Sequence, residues 1–219
     1  MKHILAVYQW CVAMPILLVM TIITALLTIF FSLLGMSRRG GYYPAHFWAK
    51  LWCILMFVKV EVKGRENIDP KTSYVFVANH QGAYDIYLVY GYLNHNFKWM
   101  MKKSLEKIPF VGAACRISKH IMVDRSSASA IQQTMDSAKR ILKDGMSLVV
   151  FPEGSRTPDG EMKKFKRGAF SLATEFGLPI VPLTIHKPIY FDKAGADNKA
   201  LTEELLEKSY NVIKSGLLG

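Results

Sequence analysis

The sequence predicts an α/β protein: a single open, mixed and partly parallel sheet flanked by helices, preceded by an N-terminal two-helix membrane-anchoring motif. Three observations carry that expectation. Residues 1–60 hold five bases (Lys2, Arg38, Arg39, Lys50, Lys59) and no acid, whereas the remainder carries 23 of the 28 bases and all 17 acids. Residues 4–37 form a stretch of 34 without one charge, against the roughly 20 needed to cross a hydrocarbon core of about 30 Å. Beyond Lys59, short apolar runs bounded by Gly, Pro and polar residues alternate with stretches of helical period. A chain of 219 residues suffices for one α/β core and is short for two. The expected division is therefore a membrane-associated part, residues 1–59, and one globular domain, residues 60–219.

The uncharged stretch 4–37 is too long for a signal-peptide apolar region, and no small-residue cleavage pattern closes it before Arg38-Arg39, so it is expected to be retained. Gly35, Gly40, Gly41 and Pro44 then allow a turn into a second apolar stretch, residues 47–58, only twelve long and interrupted by Lys50. That suits an interfacial or shallowly inserted helix. A single span and a hairpin within one leaflet both fit. Arg38, Arg39, Lys50 and Lys59 favour the cytoplasmic face of the inner membrane for everything that follows. Trp10, Tyr42, Tyr43, Trp48 and Trp52 serve either as interface anchors or as packing between helices.

In the globular part, strands are expected at 60–63, 74–78, 97–101, 121–123, 147–151 and 180–185, with helices at 84–92, 126–143, 168–176 and 201–214. The second strand is almost wholly apolar, as a central strand covered on both faces should be. The 126–143 helix places Ile131, Met135, Ala138 and Leu142 on one face and ends at Asp144-Gly145.

A net charge of +11 with 51% hydrophobic residues excludes a disordered tail and a disulfide-stapled or collagen-like chain. Nucleic acid is not an expected partner, because no recognition motif accompanies the basic residues. Cys11, Cys53 and Cys115 are isolated, without a CxxC pair, so neither a disulfide framework nor a thiolate metal site is expected. His95, His120 and His186 offer no converging ligand set, and no metal is expected.

Two segments carry chemistry. Ala78-Asn79-His80-Gln81-Gly82-Ala83-Tyr84-Asp85 follows a buried strand and leads into a helix, which puts the His80 imidazole at the carboxyl end of the sheet, where α/β folds bind ligands. Asp85, five residues on, suits a partner that fixes the tautomer while the other nitrogen takes a proton; taken alone it equally suits a helix cap. Val150-Phe151-Pro152-Glu153-Gly154-Ser155-Arg156-Thr157 also follows a buried strand. Arg156 is suited to phosphate, Glu153 to orienting Arg156 or a hydroxyl, Gly154 to close backbone approach, and Ser155 or Thr157 to donating a hydroxyl. The same residues read equally well as a glycine turn with a solvent-facing arginine. Ser155 lacks the G-x-S-x-G setting of a hydrolase nucleophile.

The N-H-x-x-x-x-D and F-P-E-G-S-R segments together resemble the glycerophospholipid acyltransferase family, most closely the bacterial 1-acyl-sn-glycerol-3-phosphate acyltransferases, and the likeness runs through nearly all of residues 60–186. It extends to Ile121-Met122-Val123-Asp124-Arg125, to Lys102-Lys103-Ser104-Leu105 with the following Ile108-Pro109-Phe110-Val111-Gly112, to the KKFKRG run 163–168, and to Ile180-Val181-Pro182-Leu183. Ser155 stands where many members have threonine. The resemblance implies His80 as general base with Asp85 as its partner, and Arg125, Glu153, Gly154, Ser155 and Arg156 at the glycerol phosphate. It further implies Ile180, Val181 and Pro182 as shaping the acyl pocket or the site. Lys102 and Lys103, with Lys163, Lys164, Lys166 and Arg167, are candidates for a phosphorylated donor or anionic head groups, although as a bare charge pattern each suits a solvated surface. The implied reaction moves an acyl group from acyl-CoA or acyl carrier protein to the sn-2 hydroxyl of lysophosphatidate, without an acyl-enzyme and without a tightly bound cofactor. Membrane lipids, the lysophosphatidate acceptor and acyl carrier protein are the implied partners. A lyso-ornithine lipid or another lysophospholipid is the alternative acceptor.

Overall fold

The computed structural model describes residues 2–156, 162–183 and 198–217, and the chain divides into two compact units. The first gathers Met1–Val62, Ala83–Asn96 and Ser104–His120. Its helices are α1 (Lys2–Tyr8), α2 (Met14–Phe31), α3 (Ser37–Gly40), α4 (Tyr43–Leu55), α5 (Tyr84–Tyr92) and α6 (Val111–Ile117). Two single π-helical turns, Gln9–Ala13 and Ser32–Met36, join α1 to α2 and α2 to α3. The helical run His3–Gly40, 38 residues, is long and apolar enough to cross a membrane. Gly35, with φ +80°, interrupts its regular path. Along α2 a narrow stripe, Leu17, Ala25 and Thr28, is buried, while Leu18, Val19, Leu26 and Phe30 are exposed. The intervals of eight and three residues keep the buried positions on one helical face.

That stripe is used within the unit: α2 packs on α4 and α6, and α4 packs on α5. Trp48 Nε1 donates to Thr21 Oγ1 at 2.9 Å, and Trp52 stacks on Tyr87 at 4.4 Å. His46 Nδ1 lies 2.8 Å from the Tyr90 carbonyl, and the Tyr90 hydroxyl lies 3.0 Å from His120 Nε2. Of the aromatic residues considered as interface anchors, Trp48 and Trp52 therefore pack between helices and Tyr42 is buried, whereas Trp10 and Tyr43 are exposed.

The second unit comprises Lys63–Gly82, Phe97–Lys103 and Ile121–Gly219. Its strands are β1 (Val75–Val77), β2 (Phe97–Lys102), β3 (Ile121–Val123), β4 (Ser147–Val150) and β5 (Ile180–Pro182), in the order β3-β2-β4-β1-β5. Every described pairing is parallel, and the antiparallel admixture expected of a mixed sheet is absent among the described residues. The physical reason is the connections, each long enough for a crossover and none short enough for a hairpin. The strands β1, β4 and β5 are buried along their whole length, which accounts for their nearly unbroken apolar sequence.

Three helices complete this unit: α7 (Ala128–Lys143), α8 (Gly168–Phe176) and α9 (Asn198–Leu217). Ser127 caps α7 by accepting the Ala130 N–H at 3.1 Å, and Gly145, at φ +71°, turns the chain out of it. α7 packs on β3, α8 on β1 and α7, and α9 on β5 and α8. One core cluster holds Val75, Val77, Val150, Phe170, Ile180 and Leu205, and another holds Ile121, Ala138, Leu142, Leu148 and Leu172.

The strand expected at 60–63 does not form. Val60 and Val62 are half-buried and Glu61 and Lys63 exposed, so the alternation is present, but the segment joins no ladder. The last strand among the described residues is β5, ending at Pro182; residues 184 and 185 of the expected strand lie outside the described residues.

In the first unit Gly112 is buried against the Glu106 main chain so closely that a Cβ there would overlap the Glu106 carbonyl. Gly112→Ala is expected to destabilise the fold by about 1–3 kcal/mol, lowering the thermal midpoint by about 2–4 °C per kcal/mol; thermal unfolding followed by circular dichroism measures it.

Candidate functional site

The parallel register sets the site in the second unit. Val77 of β1 faces Val150 of β4, and the Ala78 N–H donates to the Val150 carbonyl at 3.2 Å. Both strands leave the sheet at the same edge, so His80 and Glu153, each three residues past that pair, come level. Such carboxyl-end crevices are where open parallel sheets bind ligands. The His80 ring is half-buried and lies flat on Phe151, with centroids 4.0 Å apart and planes 7° from parallel. Phe151 in turn stacks on buried Trp99 at 5.2 Å. Trp99 lies outside the sequence motifs, and Phe151, which opens the F-P-E-G-S-R segment, is assigned no role there; its signal is its position one residue beyond β4, level with Ala78 in the β1 register.

Glu153 is only 2% exposed and does not extend towards solvent with the rest of its loop. One carboxylate oxygen accepts the His80 N–H at 2.8 Å and the other accepts the Lys163 N–H at 2.9 Å. The sequence-based expectation of contact with a glycerol phosphate thus meets a buried side chain engaged with the main chain.

Gly154 turns the loop with φ +75°, and its N–H donates to the Phe151 carbonyl at 3.0 Å. A Cβ at this position would lie 2.8 Å from Lys166 Nζ and 3.1 and 3.2 Å from the two terminal nitrogens of Arg125. Glycine here therefore allows Arg125 and Lys166 to approach the loop. Lys163 Nζ donates to Ser155 Oγ at 3.0 Å and to the Arg156 carbonyl at 3.1 Å. Partial desolvation, then the charges of Arg125 and Lys163, hold the Lys166 ammonium below its ordinary value. Among the described residues no ion pair neutralises Arg125, Lys163 or Lys166. The result is an exposed cationic cradle suited to an anion.

Other expected residues are placed differently. Lys103 bridges Asp124 at 2.6 Å, and this contact, with hydrogen bonds from Ser126, holds the Asp124 carboxyl well below the usual carboxylate range. Lys102 is exposed at the end of β2, level with Val123. Arg167 pairs with Glu203, and Lys164 is exposed. Ser155 and Arg156 are exposed on the Gly154 loop, and Thr157 and His186 lie outside the described residues. Ile180, Val181 and Pro182 form buried β5, with Ile180 in the core. Asp85 is half-buried in the first turn of α5, in the other unit. Among the described residues no three His, Cys, Asp or Glu side chains form a metal-binding group.

An imidazole and a set of exposed cations at the carboxyl edge of one parallel sheet define a site equipped to move a proton beside an anionic group. Residues 59–186 match the family described as Acyltransferase, and the chain belongs to that family. It is 33% identical over 153 residues to a 1-acyl-sn-glycerol-3-phosphate acyltransferase of Pseudomonas aeruginosa, covering 66% of this chain and 59% of the relative. It is 36% identical over 144 residues to one of Chlamydomonas reinhardtii, covering 64% and 43%. The chain spans about half the length of the curated relatives it matches. The crystal structure of the 1-acyl-sn-glycerophosphate acyltransferase PlsC from Thermotoga maritima superposes with a TM-score of 0.75 at 25% identity, over 98% of this chain and 93% of that one.

Gly154→Ala is expected to cost about 1–2 kcal/mol through the left-handed backbone alone, and to push Lys166 from Arg125. The checks are thermal unfolding of the variant and the rise in melting temperature with added inorganic phosphate, which should be smaller than for the wild type.

Proposed function

We propose that this chain transfers a fatty acyl group from an acyl thioester to the sn-2 hydroxyl of 1-acyl-sn-glycerol 3-phosphate, forming phosphatidic acid. The observation that carries this reading is the cationic cradle of Arg125, Lys163 and Lys166 on the same sheet edge as His80. The names of the relatives support the same substrate class. The cradle favours a phosphate-bearing acceptor over a zwitterionic one.

His80 removes the proton from the acceptor hydroxyl as its oxygen attacks the thioester carbonyl. Asp85, five residues along the chain, is its proposed carboxylate partner. The tetrahedral intermediate collapses by breaking the carbon–sulfur bond, and the imidazolium returns the proton to the departing thiolate. The new ester and a free thiol are the products, so neither an acyl-enzyme nor a tightly bound cofactor is needed. Arg125, Lys166 and Arg156 hold the acceptor phosphate, with Ser155 beside them. The Gly154 N–H is engaged by the Phe151 carbonyl and is not assigned to the oxyanion. Lys102 is retained as a contact for the donor, acyl-CoA or acyl carrier protein, and Ile180, Val181 and Pro182 act as a buried wall that shapes the site. Lys103, whose charge faces Asp124, is assigned to holding β2 and β3 together at this edge. Bases without acids in residues 1–60 support attachment to the inner membrane with the sheet on the cytoplasmic face.

Mass spectrometry of products tests this reading, with lysophosphatidate, lysophosphatidylethanolamine, lysophosphatidylglycerol and lyso-ornithine lipid each offered with acyl-CoA and acyl carrier protein. Product from lysophosphatidate is expected, and product from another acceptor alone would replace the biological step. His80→Ala should lower the rate by about 10²–10⁴-fold with an unchanged melting temperature.

A second prediction concerns pH. Because Lys166 loses its proton below the usual lysine range, the cradle loses a positive charge as pH rises through that lowered value, and the KM for lysophosphatidate should climb there. Lys166→Arg, which stays charged, should displace the climb to higher pH; steady-state kinetics across alkaline pH reads both.

A further inference from the structure

We propose that Glu153 is a positioning residue that clamps the loop bearing His80 to the segment bearing Lys163, and that it does not touch the acceptor. The proposal rests on the reading of His80 as the general base and deepens it. Its basis is the partition of the carboxylate: Oε1 takes the His80 N–H at 2.8 Å and Oε2 takes the Lys163 N–H at 2.9 Å, with the side chain 2% exposed. Both oxygens accept from main-chain amides, so the carboxyl group is held at both of its atoms. Burying that group is costly unless its hydrogen bonds are made, and hydrogen bonds to a charged acceptor are the stronger kind.

The geometry suits a clamp because the two loops leave the sheet from different places. His80 follows β1, and Lys163 lies ten residues beyond Glu153 on the approach to α8. The Lys163 segment also returns to the Glu153 loop through the Lys166 N–H, which donates to the Pro152 carbonyl at 3.0 Å. Glu153 holds His80 by its main chain, while Phe151 supports the ring from one face. The same side chain fixes the main chain at Lys163, three residues before Lys166. It thereby couples the position of the proposed base to the position of the cations.

Glu153→Gln and Glu153→Asp test this. Glutamine keeps the shape but must turn an NH2 towards one of the two amides; aspartate keeps the charge but is one methylene too short to reach both. In both variants kcat is expected to fall by about 30-fold with the KM for lysophosphatidate changed by less than about threefold. Hydrogen exchange should quicken by about tenfold within 78–82 and 162–166 and stay unchanged in β4. A KM rise with unchanged kcat would make Glu153 a substrate ligand and overturn the proposal. Full activity in Glu153→Asp would do the same, by showing that charge near the site suffices. If either variant fails to fold, the wild type decides alone: the His80 and Lys163 amide protons must exchange as slowly as those of β4, and rapid exchange of either overturns the clamp. Should the folded wild type transfer no acyl group, the exchange arm still reports on the clamp, and only the general-base reading fails.

Discussion

The site depends on two short strands running the same way. β1 and β4 contribute three and four residues, all buried, and Val77 faces Val150 in their ladder. Since parallel strands leave a sheet at a common edge, the loops after them emerge side by side. Were β4 antiparallel to β1, the Phe151–Arg156 loop would open at the opposite edge. Each strand is too short to hold its register by length. Register is instead held by apolar packing of Val75, Val77 and Val150 with Phe170 and Ile180, and by hydrogen bonds that continue past the ladder, from Ala78 to Val150 and from Leu183 to Val77. A slip of one residue would exchange the faces of every side chain.

Charge at this edge is sorted by depth. The acidic side chain of the Gly154 loop, Glu153, is turned inward and spent on main-chain amides, whereas Arg156, Lys163 and Lys166 stay exposed. Asp124, another acid, adjoins Arg125 in sequence yet bridges Lys103, one residue past β2. Among the described residues, these two carboxylates have other partners. That arrangement also explains why a glycine stands at 154: a side chain would occupy the space to which Arg125 and Lys166 converge.

Much of this was legible in the residues themselves. The run Tyr74–Ala78 is apolar enough to require burial on both faces, so the placement of His80 just past a central strand follows from local sequence. The capped helix α7 and the strands β2, β3 and β4 are legible for the same reason: each satisfies its pattern within a few residues. Glu153 shows where such reading stops. Its partner at His80 is 73 residues away, and whether its side chain turns in or out depends on strand register, which no local pattern encodes. Residues 60–63 fail in the opposite sense. Their alternation is real, but a strand also needs a neighbour with free main-chain groups. Trp48 and Trp52 have the composition of interface anchors and the surroundings of packed side chains, a distinction made by Thr21 and Tyr87 rather than by the tryptophans.

The absence of an internal counter-charge at Arg125, Lys163 and Lys166 among the described residues has a consequence for the molecule at rest. Exposed cations such as these draw counter-ions from the medium. An anionic substrate then enters by exchange with those ions. Its apparent affinity becomes a joint property of the protein and of the ionic composition around it, and multivalent anions compete far more effectively than chloride at equal concentration.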